Sequence, residues 1–329
     1  MLPRLTRSMM HTLAILLSAI CLLGSSPGSH RRIVIAQGGA SHELPRNSLA
    51  AFVRAYHTGA QYIQADAVLS SDNVLFGATS PSLDTFTNIA ELYPDRARDD
   101  GGWYSVDFTS EELARVRHRH DSKVFQPTLS SLDDLLGVVT RLNETTGRRI
   151  GVGIKLLEPV WHQEQGHDIV ATFVETLDRL GYKRRAGEVL VQADDATTLL
   201  RVRRAFGQPM RLVLAVEGDE PISHGRIKGY AEWGWGILPD LSTIEADKAW
   251  DVRAEEWVQV AHDAGLYVFV SDLAGDEVSM DRAVRRTGGG YRADGIESTH
   301  PELAIEVVEV IHGEEDALKE ESRQRSRQQ

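Results

Sequence analysis

From residue 33 to residue 312, short apolar runs alternate with amphipathic stretches, and that rhythm constrains the fold more than any other feature of the chain. The runs at 33–36, 62–69, 150–154, 189–192, 211–215, 236–238, 267–270 and 295–297 are predicted as strands. Between them, 48–58, 132–143, 168–180, 196–206, 249–264 and 281–286 place apolar residues at helical spacing. A further helix is predicted at 301–311, where Pro301 suits the first turn. Strands separated by helices are joined by crossovers, which makes them parallel. Eight such units in about 280 residues predict the α/β class and a single (β/α)8 TIM barrel. The composition agrees, since 42% of the 329 residues are hydrophobic, enough for one large core.

The rhythm breaks between the second and third units. Residues 80–127 show no clean period and include Tyr93-Pro94-Asp95-Arg96-Ala97-Arg98-Asp99-Asp100-Gly101-Gly102-Trp103-Tyr104. An insertion in the loop after the second strand lies at the C-terminal face of a barrel, where this architecture builds its sites.

The two ends differ from the middle. Residues 1–28 are predicted as a signal peptide: Arg4 and Arg7 lead, an apolar run from Thr12 to Leu23 is broken only by Ser18, and small residues follow. The run is shorter than the ~20 residues that span a bilayer. The expected product is exported, periplasmic or secreted, without stable membrane insertion after cleavage. The single cysteine, Cys21, falls in this segment, which excludes a disulfide framework and any cysteine-rich metal site. Removing 1–28 takes the formal net charge from −12 to −14. So acidic a chain repels nucleic acid and anionic membranes, and neither is an expected partner. The barrel domain is predicted at 29–313, and 314–329 as a charged, flexible tail.

Several motifs carry a resemblance. The first strand runs into Gln37-Gly38-Gly39-Ala40-Ser41, then Leu44-Pro45-Arg46-Asn47-Ser48-Leu49-Ala50-Ala51-Phe52 and Gly59-Ala60-Gln61-Tyr62-Ile63-Gln64-Ala65-Asp66. The insertion adds Tyr93 to Gly101 and Val106-Asp107-Phe108-Thr109-Ser110-Glu111-Glu112-Leu113. Together these resemble the glycerophosphodiester phosphodiesterases, most closely their periplasmic bacterial type. The resemblance implies a TIM barrel and hydrolysis of glycerophosphodiesters to glycerol 3-phosphate and an alcohol, within phospholipid and glycerol metabolism. It also implies two catalytic histidines, an arginine on the phosphate, and three carboxylates holding calcium or magnesium.

Residue by residue, this chain departs from that pattern. Gln37 and Gly38 stand where the resemblance implies the first histidine and its arginine, and Thr79 stands in the loop of the second histidine. Arg46 replaces a glutamate, reversing the charge. Of the implied metal carboxylates only Asp66 is retained, with Gln64 and Gly153 at the other two positions. Neither an amide nor a threonine hydroxyl exchanges a proton near pH 7, and a hard cation prefers anionic oxygens. The expectation is a family member with a degenerate site, inactive or impaired, binding a phosphodiester or polyol. No cofactor is expected, with weak calcium or magnesium binding only if the chain is active. Candidate ligand-binding residues are Arg46, Lys155 and Trp161. An alternative is an active hydrolase with a rebuilt site drawn from His42, Glu43, Asp84 and Glu158, although no metal spacing joins these four.

Overall fold

A computed structural model describes residues 31–119, 125–216, 223–242, 254–271, 273, 275–285 and 290–328. The predicted signal peptide lies outside the described residues, as do the start of the 249–264 helix and the last residue of the 281–286 helix.

Eight parallel strands close on themselves: β1 (Ile33–Gln37), β2 (Tyr62–Leu69), β4 (Gly151–Leu156), β5 (Val189–Ala193), β6 (Arg211–Val216), β7 (Gly236–Pro239), β8 (Tyr267–Val270) and β9 (Gly295–Ser298). Closure is made by β1, which pairs with β9 on one side and β2 on the other. A short β3 (Leu75–Gly77) folds back antiparallel on β2. Every residue of β2 and β5 is buried, as expected where helices cover a barrel whose interior is filled.

The helices that cover it are α1 (Leu49–Thr58), α2 (Leu132–Thr146), α3 (Pro159–Glu164), α4 (Ile169–Arg179), α5 (Ala196–Phe206), α6 (His224–Ala231), α7 (Ala254–Asp263), α8 (Glu277–Val284) and α9 (Pro301–Gln328). Local chemistry sets their ends. Ser48, Ser131, Asp168 and Asp195 each turn a side-chain oxygen onto the first exposed amides, and Gly59, Gly147 and Gly207 close helices in the left-handed conformation. Asp276 caps α8 in the same way, which starts that helix ahead of the predicted 281–286.

Two regions extend the barrel. The insertion after β2 holds helical turns at Ile89–Leu92 and Ser110–Leu113 and buries an apolar cluster of its own with Phe76, Leu83, Phe108 and Leu129. At the other end, where a flexible tail was expected from 314, α9 continues to Gln328. Its first tail residues are tied down: the buried Arg32 forks onto Glu315 at 2.6 and 2.8 Å, and Arg285 reaches Glu314 at 2.7 Å.

The interior of the barrel is layered. Alternation along each strand points Ile35, Tyr62, Leu190, Val213, Leu238 and Phe269 inward as one apolar layer. One step further toward the strands' C-terminal ends, the same inward faces carry Gln37, Gln64, Gly153, Gln192 and Glu297. Strand register therefore places an apolar floor beneath a polar mouth.

Candidate functional site at the barrel mouth

The mouth holds a cavity of about 400 Å³ lined by Gln37, Arg46, Lys155, Leu238, Asp240, Ser271, Glu297 and Thr299, with Ala215. Its volume lies in the range of small-molecule sites. Six strands or their ends line it, β1, β4, β6, β7, β8 and β9, and Arg46 arrives from the loop between β1 and α1.

Asp66 forms one corner. Its Oδ2 accepts from Arg46 Nε at 2.6 Å and from Asn47 Nδ2 at 3.0 Å, and its Oδ1 from Gln64 Nε2 at 2.9 Å. Asn47 returns the contact, accepting from the Asp66 amide at 3.0 Å, and Gln64 Oε1 accepts from the Gly38 amide at 3.0 Å. Burial alone would raise the Asp66 carboxyl, but the Arg46 charge and the three donors hold it below the usual carboxylate range. The same contact holds the Arg46 guanidinium above its ordinary value despite its burial.

Glu297 forms the other corner, 1% exposed. It accepts from Gln37 Nε2 at 3.0 Å and from Gln192 Nε2. Burial pushes this carboxyl up; the Gln192 bond and the Lys155 and Arg46 charges oppose the shift without reversing it. The other amide atom of Gln192, Oε1, is buried and has no hydrogen-bond partner.

The residues singled out from sequence fall into separate places. Arg46, Lys155 and Gln37 line the mouth, while Gln64 and Asp66 form its buried wall. Gly153 stands beside Gln64: a Cβ there would lie 3.0 Å from Gln64 Cβ, a tight contact that Gln64 would have to ease. Thr79 is exposed. Trp161 is not among the residues lining the cavity; it packs against Tyr104 and His162 beside Arg98 at the insertion. Asp84 accepts from Ser82 Oγ at 2.6 Å within that insertion. Glu158 is exposed and opens α3 with a left-handed backbone, φ 44°.

His42 and Glu43 join a different group. With Glu302 they bring ligand-type atoms within 4.8 Å of one another at the surface. Arg54 already bridges that group, bonding Glu43 at 3.0 Å and contacting Glu302, while His42 stacks on His300 at 4.1 Å. Among the described residues no cluster of His, Cys, Asp and Glu unites the candidate set His42, Glu43, Asp84 and Glu158.

Sequence reading missed Glu297, Gln192 and Asn47. Counting by two from Gly295 places Glu297 on the inward face, so a signal for it existed. The cap-like Asn47 gave none, because its contact with Asp66 spans nineteen residues.

Comparison with known proteins fits this fold. Residues 38–285 match the model of the glycerophosphoryl diester phosphodiesterase family. A glycerophosphodiester phosphodiesterase of Treponema pallidum is 35% identical over 279 residues, spanning 71% of this chain and 78% of that protein. One from Haemophilus influenzae is 27% identical over 203 residues, 55% of this chain and 56% of that protein. Among solved structures, a putative glycerophosphoryl diester phosphodiesterase from Silicibacter pomeroyi superposes with TM-score 0.66 at 17% identity, covering 86% of this chain and 95% of that one. An Oleispira antarctica phosphodiesterase, solved with the product sn-glycerol-3-phosphate, also gives 0.66 at 17%, covering 84% and 96%. The chain therefore belongs to the glycerophosphodiester phosphodiesterase family.

The divalent cation typical of that family does not fit the residues present. Asp66, the carboxylate that the sequence reading assigns to a metal, has both oxygens occupied by donors, and one donor is a cation that would repel the metal. Gln64 turns its amide nitrogen, not its oxygen, toward Asp66, and Gly153 offers no side-chain ligand.

Proposed function

We propose that this chain is an exported member of the family that binds a phosphodiester or polyol at its barrel mouth without hydrolysing it by the family's route. The observation that carries this reading is the 2.6 Å contact between Arg46 and Asp66. It puts a guanidinium where a metal would need an open carboxylate, and Gln37 beside it has no proton to exchange near neutral pH. The polar mouth remains, which supports binding without the inherited chemistry. Export rests on the leader-like residues 1–28.

A second reading, hydrolysis through relocated groups, has Glu297 in its favour. A buried carboxyl held above the usual range can keep a proton and pass it to a departing alkoxide. The test is to incubate the purified protein with glycerophosphocholine and glycerophosphoethanolamine, with and without calcium, magnesium and chelator, and follow glycerol 3-phosphate. No release above an empty-host control is expected. Release abolished by Glu297→Gln would replace the first reading with the second.

A further inference from the structure

Gly38 and Arg46 fit each other. The Arg46 stem lies across the Gly38 backbone so closely that a Cβ on residue 38 would stand 2.2 Å from Arg46 Cγ and 3.0 Å from its Cδ and Nε. Gly38 also has φ +64°, which glycine adopts without strain. An arginine at 46 can take this path only because position 38 carries no side chain, and position 38 is where the resemblance implies an arginine on the phosphate.

The guanidinium reaches the mouth held at one edge. Its Nε is committed to Asp66, a bond that fixes the plane of the group. Among the described residues, Nη1 and Nη2 donate to no protein atom, and the side chain keeps 26% exposure in a cavity otherwise walled by protein. Two parallel N–H donors in a fixed plane match two oxygens of a phosphoryl group. The same cavity offers acceptors and hydroxyls for the remainder of a ligand: Glu297, Ser271 and Thr299. Those groups suit the hydroxyls of a polyol.

We propose that Arg46 has taken over, from the Leu44-Pro45 turn, both the anion grip vacated at position 38 and the place of the metal, so that the mouth binds a polyol phosphate ester without any cation. This rests on the binding reading above and names its ligand chemistry. Asp66 acts as the positioning residue for the guanidinium and does not touch the ligand. Binding of this kind draws on a pre-oriented group, which lowers the ordering cost on association.

Calorimetric titration of the purified protein tests it, using sn-glycerol 3-phosphate, inorganic phosphate and glycerol, each in chelator and again in calcium. The expected result is binding of sn-glycerol 3-phosphate with the same Kd in both conditions, weaker binding of inorganic phosphate, and none of glycerol. Arg46→Lys, which keeps charge but loses the fork, is expected to weaken binding about tenfold. Gly38→Ala, which displaces the Arg46 stem, is expected to cost about as much. Arg46→Ala alone leaves Asp66 buried and uncompensated, so the paired variant Arg46→Ala/Asp66→Asn is the folded control, with loss of roughly a hundredfold or more expected. Three outcomes each overturn the assignment: binding that needs calcium, a paired variant with unchanged Kd, or no binding of any probe. Phosphorus NMR of glycerophosphoethanolamine in the same samples separates the two claims. Turnover there would sink the non-hydrolytic reading, while the titrations alone decide the role of Arg46.

Discussion

Asp66 and Glu297 are matched in almost every respect. Both are carboxylates on inward positions of barrel strands, they are 2% and 1% exposed, and each accepts from glutamine side chains. Burial penalises both charges, yet the carboxyl of Asp66 is held low and that of Glu297 is pushed up. The difference is the direct partner. Asp66 has a guanidinium at 2.6 Å, whereas Glu297 has two neutral amides and feels its cations only at a distance. Amide donors soften the cost of burying a charge, and a contacting cation reverses it. One corner of the mouth is thus a locked ion pair and the other a buried carboxyl held by neutral amides.

The largest expected effect comes from unlocking that pair. Arg46→Ala leaves Asp66 charged, buried and supported only by Asn47 and Gln64, at an expected cost of about 3–5 kcal/mol in urea unfolding at neutral pH. Adding Asp66→Asn removes the stranded charge and is expected to restore most of the loss. If Arg46→Ala alone costs under about 1 kcal/mol, the contact is no better than a surface pair and the contrast with Glu297 collapses.

A third buried group sharpens the comparison because it has no partner. His162 is fully buried at the end of α3, neither ring nitrogen is hydrogen-bonded, and burial, aided by His167, pushes its pKa down to about 4. The folded pKa is depressed, so the unfolded chain takes up a proton below about 6.5 while the folded chain does not. Stability is therefore full above about pH 6.5 and is lost as pH falls toward about 4, by up to about 3 kcal/mol from this group. His162→Phe removes that titration. Denaturant unfolding at stepped pH is expected to show the variant gaining on the wild type steadily as pH drops. A constant difference across that range would mean that His162 finds a partner and that burial alone does not govern it.

How much of this was legible in the sequence depends on the range of the interaction. The barrel followed from alternation, because strand and helix periods are local and the crossover rule then fixes parallel pairing. The insertion was placed by its break in period. The expectation that the implied ligands are replaced also came from short motifs, each read locally. The arrangement at the mouth did not. The Gly38–Arg46 fit depends on a left-handed backbone and a stem crossing eight residues on, neither of which has a sequence signature. Glu297 ends a predicted strand, and its spacing from Gly295 marks it as inward. The charged tail read as a flexible extension. Its helix instead gains ion pairs at helical spacing, Asp316 with Lys319 and Glu321 with Arg325, and its anchors Arg32 and Arg285 lie far away in sequence.

The smallest effect is expected where acidic groups gather in water instead of in the mouth. Arg54 contacts both Glu43 and Glu302, and all three side chains are between 36% and 38% exposed. Water screens these charges and holding long side chains together costs entropy, so Arg54→Ala should cost no more than about 1 kcal/mol. Removing Arg54 also strips the cation that now neutralises the two carboxylates beside His42. Calcium should still leave the melting temperature of the variant unchanged, because an exposed pair of glutamates without a fixed backbone loop must be ordered by the ion itself. A calcium-dependent rise confined to Arg54→Ala would show that this surface group, and not the mouth, is the chain's poised cation site, with Arg54 as its occupant. A loss well above about 1 kcal/mol would show instead that exposure does not separate this cluster from the Asp66 pair.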